Sequence, residues 1–87
     1  MTLSFPNQSR FYDPTRHAVR FWGHDSAMEA SFFVNADALK RIKPDMPFDE
    51  VGLLSGFDLN RKLIHATAAK VYERRRKGSY DLIATDF

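Results

Sequence analysis

Met28-Glu29-Ala30-Ser31-Phe32-Phe33-Val34, followed at once by Asn35-Ala36-Asp37-Ala38-Leu39-Lys40-Arg41-Ile42, decides the fold. In the first seven residues Met28, Ala30, Phe32 and Val34 fall on one side, and Glu29, Ser31 and Phe33 on the other. A period of two, built from aromatic and β-branched residues, is the pattern of a half-buried strand. The period then changes. Asn35 is a good N-cap, since its side-chain oxygen can meet the free N–H groups of a helix over Ala36–Ile42. That helix must stop before Pro44, because proline disfavours helical backbone at Lys43.

Upstream, Ala18-Val19-Arg20-Phe21-Trp22 reads as a strand and so does Arg10-Phe11-Tyr12-Asp13. Between them Asp13-Pro14 suits the first two positions of a type I turn, the carboxylate accepting backbone N–H groups and proline presetting φ. Gly23-His24-Asp25-Ser26 reads as the next turn, so the three strands form an antiparallel meander. Leu3-Ser4-Phe5 is too short to assign, and Pro6-Asn7-Gln8-Ser9 is loop. Downstream, Pro44-Asp45-Met46-Pro47 is a connector, and from about Phe48 to Lys77 there is no proline and the spacing is helical. Leu53, Phe57, Ile64, Ala68 and Val71 share one face, flanked by Leu54 and Tyr72, and this face should lie on the sheet. Gly52 and Gly56 weaken the first turns by about 1 kcal/mol each, which allows a break near Gly56. Gly78 supplies a helix stop. Ser79-Tyr80-Asp81-Leu82-Ile83-Ala84 is a last strand that can join the meander. The expected order is β-β-β-α-α-β: an α+β fold with an antiparallel sheet packed by one short and one long helix, in a single domain over residues 1–87.

Composition narrows the class. Leu, Ile, Val and Phe number 22 of 87 residues and the net charge is +2, which is the profile of a folding chain and not a disordered one. A chain of this size buries only about 60–65% of its unfolded surface, so its core is thin and a second copy would help it. Its longest apolar runs are a few residues, too short for a membrane span. The opening Met1-Thr2-Leu3-Ser4-Phe5-Pro6 lacks the basic start and apolar stretch of a signal peptide. The absence of cysteine excludes disulfides, a thiol nucleophile and thiolate zinc sites. These features suit a reducing cytoplasm.

Catalytic and metal chemistry find little support. His17, His24 and His65 are the three histidines and form no ligand spacing. No phosphate-cradling or nucleophile-elbow motif occurs, so neither an enzyme nor a cofactor is expected. Two surfaces remain. Residues 61–77 carry seven bases and one acid. Arg61, Lys62, Lys70, Arg74, Arg75, Arg76 and Lys77 point almost all round a helical wheel, not along one stripe. Bases near a helix C-terminus complement its dipole, and Asp58–Lys62 and Glu73–Lys77 have stabilising i,i+4 spacing. The runner-up reading is a phosphate footprint over Arg74, Arg75, Arg76 and Lys77. On the sheet, if Val19 and Phe21 face the core, then Arg20 and Trp22 face away beside Phe33. This is either a stacking platform for single-stranded nucleic acid or a face covered by the N-terminal segment or a second subunit. Leu59, Leu63 and Ala66 form a further apolar stripe at i, i+4 and i+7, to be covered by Leu39 and Ile42 of the short helix or by another molecule. A helix of about 28 residues would span roughly 42 Å, more than so small a sheet covers. The leading expectation is a small interaction or regulatory module acting as a homodimer.

Leu3-Ser4-Phe5-Pro6, the Tyr12-Asp13 turn, Ala18-Val19-Arg20-Phe21 and Phe57-Asp58-Leu59-Asn60-Arg61 with Ile64 together resemble domain-of-unknown-function family 1488, short proteins typical of proteobacteria. The resemblance runs over essentially the whole chain. It implies a stand-alone α+β domain and brings no established activity, ligand or catalytic residue.

Overall fold

The alternating stretches become strands of one four-stranded sheet in the computed structural model, which describes residues 3–26, 28–74 and 79–87. Its strands are β1 (Phe11–Asp13), β2 (Ala18–Asp25), β3 (Met28–Asn35) and β4 (Ser79–Leu82), side by side in that order. Helices α1 (Ala36–Ile42), α2 (Glu50–Leu59) and α3 (Arg61–Arg74) lie between β3 and β4, and a 3₁₀ turn at Ala84–Asp86 follows. The α+β class is the expected one. The sheet is mixed, because β4 runs parallel to β3, with Phe32 opposite Tyr80 and Val34 opposite Leu82. Parallel neighbours need a crossover of a dozen or more residues, and the three helices supply it.

Local chemistry explains most boundaries. Asp13 Oδ1 accepts the N–H groups of Thr15 (3.0 Å) and Arg16 (3.2 Å), which is the turn its Asp-Pro pair predicts. Asn35 Oδ1 caps α1 by accepting from Ala38 N–H at 2.8 Å. The expected turn at Gly23–Ser26 is instead mostly strand. Gly23, His24 and Asp25 pair with Ala30, Glu29 and Met28, so only two residues separate the hairpin's arms. Ser26 takes φ 55°, the left-handed geometry that two-residue hairpins require. Leu3-Ser4-Phe5 also joins the sheet: Ser4 and His24 exchange two backbone hydrogen bonds of 2.8 Å. An unbroken ladder from that pair would set Gln8 opposite Arg20, but Phe11 stands there. Three residues are therefore looped out of a single edge strand.

The long helix is two helices. The break falls at Asn60, not at Gly56, and Asn60 serves both pieces. Its N–H bonds to Phe57 O and its side-chain amide to Gly56 O at 2.9 Å, closing α2, while its own carbonyl accepts Ile64 N–H and opens α3. The two helical glycines have another purpose. A Cβ at Gly52 would run into the backbone of Pro47, and one at Gly56 into Met46 Sδ, so both let the connector lie against α2. The stop expected at Gly78 lies outside the described residues.

The core forms between the inner sheet face and the helices. Val19, Phe21, Phe32, Val34 and Leu82 meet Leu39, Leu53, Phe57, Ile64 and Ala68, all essentially inaccessible to water. Leu3 and Phe5 close its edge. Met28, expected with this set, is exposed at the hairpin end.

Candidate interaction surfaces

The elbow between α2 and α3 is the first surface. Leu59 ends α2 and Leu63 stands in the first turn of α3; they are 70% and 48% exposed. Ala66 is exposed too. Leu39 does not cover them, being buried in the core itself, and Ile42 packs against that same core. On one side of Leu59 an open cleft of about 340 Å³ runs between Arg10, Val51, Leu54, Ser55 and Asp58. On the other side a cleft of about 430 Å³ is lined by Asp58 to Leu63. Leu59 is the ridge between them. Val51, at 77% exposure, extends the apolar surface.

Asp58 holds this elbow to the looped-out edge. Arg10 grips its carboxylate with two hydrogen bonds (Nε to Oδ1 3.0 Å, Nη2 to Oδ2 2.8 Å), and Arg61 Nη2 adds a third at 2.7 Å. Arg61 Nη1 reaches on to the Gln8 carbonyl at 3.2 Å. The hydrogen bonds from Arg10, and then the one from Arg61, hold the Asp58 carboxyl below the usual carboxylate range. Asp58 thus pairs with Arg61 and Arg10, in place of the expected Lys62, because the break at Asn60 interrupts the regular i,i+4 spacing. Sequence spacing gives no sign of Arg10, which lies 48 residues away.

The outer sheet face is the second surface, and it is organised as a row. Phe11, Arg20, Phe33 and Asp81 are register partners across all four strands. Arg16 from the β1–β2 turn lies over the Phe33 ring at 4.0 Å and pairs with Asp81 at 2.9 Å. Arg20 lies 5.0 Å from the Trp22 ring and 5.4 Å from Phe33, and donates to Ser31 Oγ at 3.1 Å. The Phe11 ring meets Trp22 edge-on at 5.6 Å. Phe33 is consequently only 8% exposed, covered by its own chain's arginines, whereas Phe11 is 60% exposed. The N-terminal segment packs against the core, so it is not the cover for these rings. As a stacking platform the face has lost Phe33, since a base would have to displace Arg16.

The basic helix end is partly described. Arg74 is exposed at the end of α3, and Arg75, Arg76 and Lys77 lie outside the described residues, with the expected Glu73–Lys77 pair. The histidines are dispersed. His24 faces Glu29 at 3.4 Å, His17 meets Phe48 edge-on, and His65 stacks flat on Phe5 at 3.9 Å. Burial, and then Arg61, push the His65 imidazole down to about 4. Among the described residues no three His, Cys, Asp or Glu side chains gather to hold a metal ion. Nor among them is any helix long and apolar enough to cross a membrane.

Comparison with known proteins places this geometry. The model of a family described as a protein of unknown function (DUF1488) matches residues 3–83. A crystal structure of a DUF1488-family protein of unknown function from Shewanella loihica PV-4 is similar, with a TM-score of 0.80 over 94% of each chain at 20% sequence identity. At that identity the likeness concerns the fold alone. No curated protein matches.

Proposed function

The chain belongs to the DUF1488 family, and we propose that it is a small non-catalytic interaction module of the bacterial cytoplasm, working as a homodimer. The observation that supports this reading is the exposed elbow of Leu59 and Leu63 with Val51 beside it. Apolar area left in water forgoes roughly 25 cal/mol for each Å², and a chain with a thin core gains from burying it. The shape suits a two-fold contact, in which the same patch serves both copies. Each Leu59 ridge enters one cleft of the other copy, so the two ridges of a pair fill two of its four clefts. The charges of Asp58, Arg10 and Arg61 line those clefts already paired with one another, so an entering leucine would leave none of them without its partner.

Light scattering at micromolar concentration should give twice the monomer mass, and Leu59→Glu or Leu63→Glu should return the monomer with its fold intact. An exposed position tolerates such a change within about 0.5 kcal/mol, so loss of fold together with mass would show that the stripe is core. A native chain that stays monomeric at high concentration overturns the proposal.

A further inference from the structure

The segment Leu3–Arg10 is tied down at two separate places. At its far end Leu3 and Phe5 lie half-buried against the core, and Ser4 exchanges two backbone hydrogen bonds with His24. The Phe5 ring lies flat on His65 at 3.9 Å. At its near end Arg10 grips Asp58, and the Gln8 carbonyl accepts from Arg61 Nη1 at 3.2 Å. Between these ends Pro6, Asn7, Gln8 and Ser9 are exposed. Among the described residues, Ser4 is the one member of this segment that pairs with the sheet. Backbone with so few ladder bonds and so little buried area belongs to the part of a fold that opens locally, ahead of global unfolding.

Both anchors end on α3 or on the elbow that leads into it. His65 lies about one helical turn beyond Arg61, so Phe5 and Gln8 hold neighbouring turns of the same helix. Arg10 also lines the cleft of about 340 Å³ beside Leu59, and Asp58 lines both clefts. The wall that a partner's leucine meets is therefore built in part by the clamp of this segment. When the segment lifts, Arg61 loses the Gln8 carbonyl and Arg10 is no longer held from its N-terminal side. Ordering those groups then falls to the association step and weakens it.

From this shared anchorage we infer that Leu3–Arg10 is a strap that regulates the elbow contact. Seated, it holds the cleft that receives Leu59 of a second copy; detached, it leaves that cleft wall loose. The inference rests on the dimer reading and names what controls it. Such coupling is reciprocal, so dimerisation holds the strap down by the same factor.

Two substitutions loosen the strap at its far end, away from Leu59. A Cβ at Gly23 would stand 3.0 Å from the Phe5 ring and 3.1 Å from Leu3 Cδ1, so Gly23→Val should push the strap off. Phe5→Ala removes the ring that stacks on His65. Light scattering on dilution should show each variant dimerising about fivefold more weakly than the native chain, or weaker still, with far-UV dichroism unchanged. The reverse effect is read at the His24 N–H, which donates to Ser4 O. Its hydrogen exchange should be about fivefold faster, or more, in monomeric Leu59→Glu than in the native dimer. Variants that exchange faster at His24 yet associate as tightly as a native dimer overturn the inference and leave the dimer reading standing. Equal His24 exchange in Leu59→Glu and the native dimer does the same, and decides the matter even if the strap variants fail to fold. A native chain that stays monomeric removes both.

Discussion

Gly52→Ala should destabilise this protein, although helix propensity argues for the opposite. Alanine in a helix interior is worth about 1 kcal/mol more than glycine, so α2 taken alone would gain. The new Cβ, however, would stand 2.8 Å from the carbonyl carbon and from the Cβ of Pro47, and closer still to its carbonyl oxygen. That obstacle is backbone, held by a proline ring on one side and by buried Met46 on the other. Overpacking typically costs about 1–3 kcal/mol, and more where the backbone itself must shift. The net expectation is a loss of about 1–2 kcal/mol, or a fall in Tm of about 5–15 °C for a domain of this size. At Gly56 the obstacle is Met46 Sδ, the far part of a flexible side chain, so the loss should be smaller. It should reverse in the Met46→Ala background, where nothing opposes the propensity gain, giving a coupling of about 1 kcal/mol. Urea unfolding of the four chains in that cycle, and of Gly52→Ala, measures these quantities. A Gly52→Ala variant more stable than the native chain would refute the reasoning, because the connector could not then be seated on α2.

Two further predictions follow from the charged groups. Asp58→Asn should cost about 1 kcal/mol, less at 1 M salt, and Arg10→Ala should add little to it, because both remove the same partly exposed contact; urea midpoints at two salt concentrations check this. His65, depressed to about 4 in the fold from an ordinary value of 6.5, binds protons preferentially in the unfolded chain. Its contribution is therefore complete above about pH 6.5 and is lost as the pH falls towards 4, and the stability of a His65→Gln variant should vary less across that window than the native chain's.

The β2–β3 hairpin and α1 were legible because their signals are local. Alternation at Ala30, Phe32 and Val34 and the cap at Asn35 each act within a few residues. The same period of two set Arg20, Trp22 and Phe33 on one face. It could not show that Arg16, a turn residue, would fold back over Phe33. The direction of β4 was hidden for a related reason, since alternation is the same in parallel and antiparallel strands and only the intervening path decides between them. Only the Phe11–Asp13 half of the edge strand was legible, because Ser4 is out of step with it by the three looped residues and Leu3-Ser4-Phe5 is too short to read alone.

The break at Asn60 was invisible for a more instructive reason. Phe57 and Ile64 are seven residues apart, almost two full helical turns, so the apolar stripe keeps its phase whether or not the helix continues. Periodicity cannot detect a break that preserves it. What ends α2 is a side chain competing for backbone groups, a property of asparagine that no stripe records. The consequence reaches the surface that the function reading uses. An unbroken helix would set Leu59 and Leu63 as successive rungs along a rod. The break instead sets Leu59 at the end of α2, between two clefts, with Asp58 and Arg61 turned towards the looped edge of the sheet. Phe57 fills the core, Asp58 and Arg61 tie down the edge, Leu59 is left outward and Asn60 makes the bend. In this five-residue stretch, fold and candidate interface depend on the same change of direction.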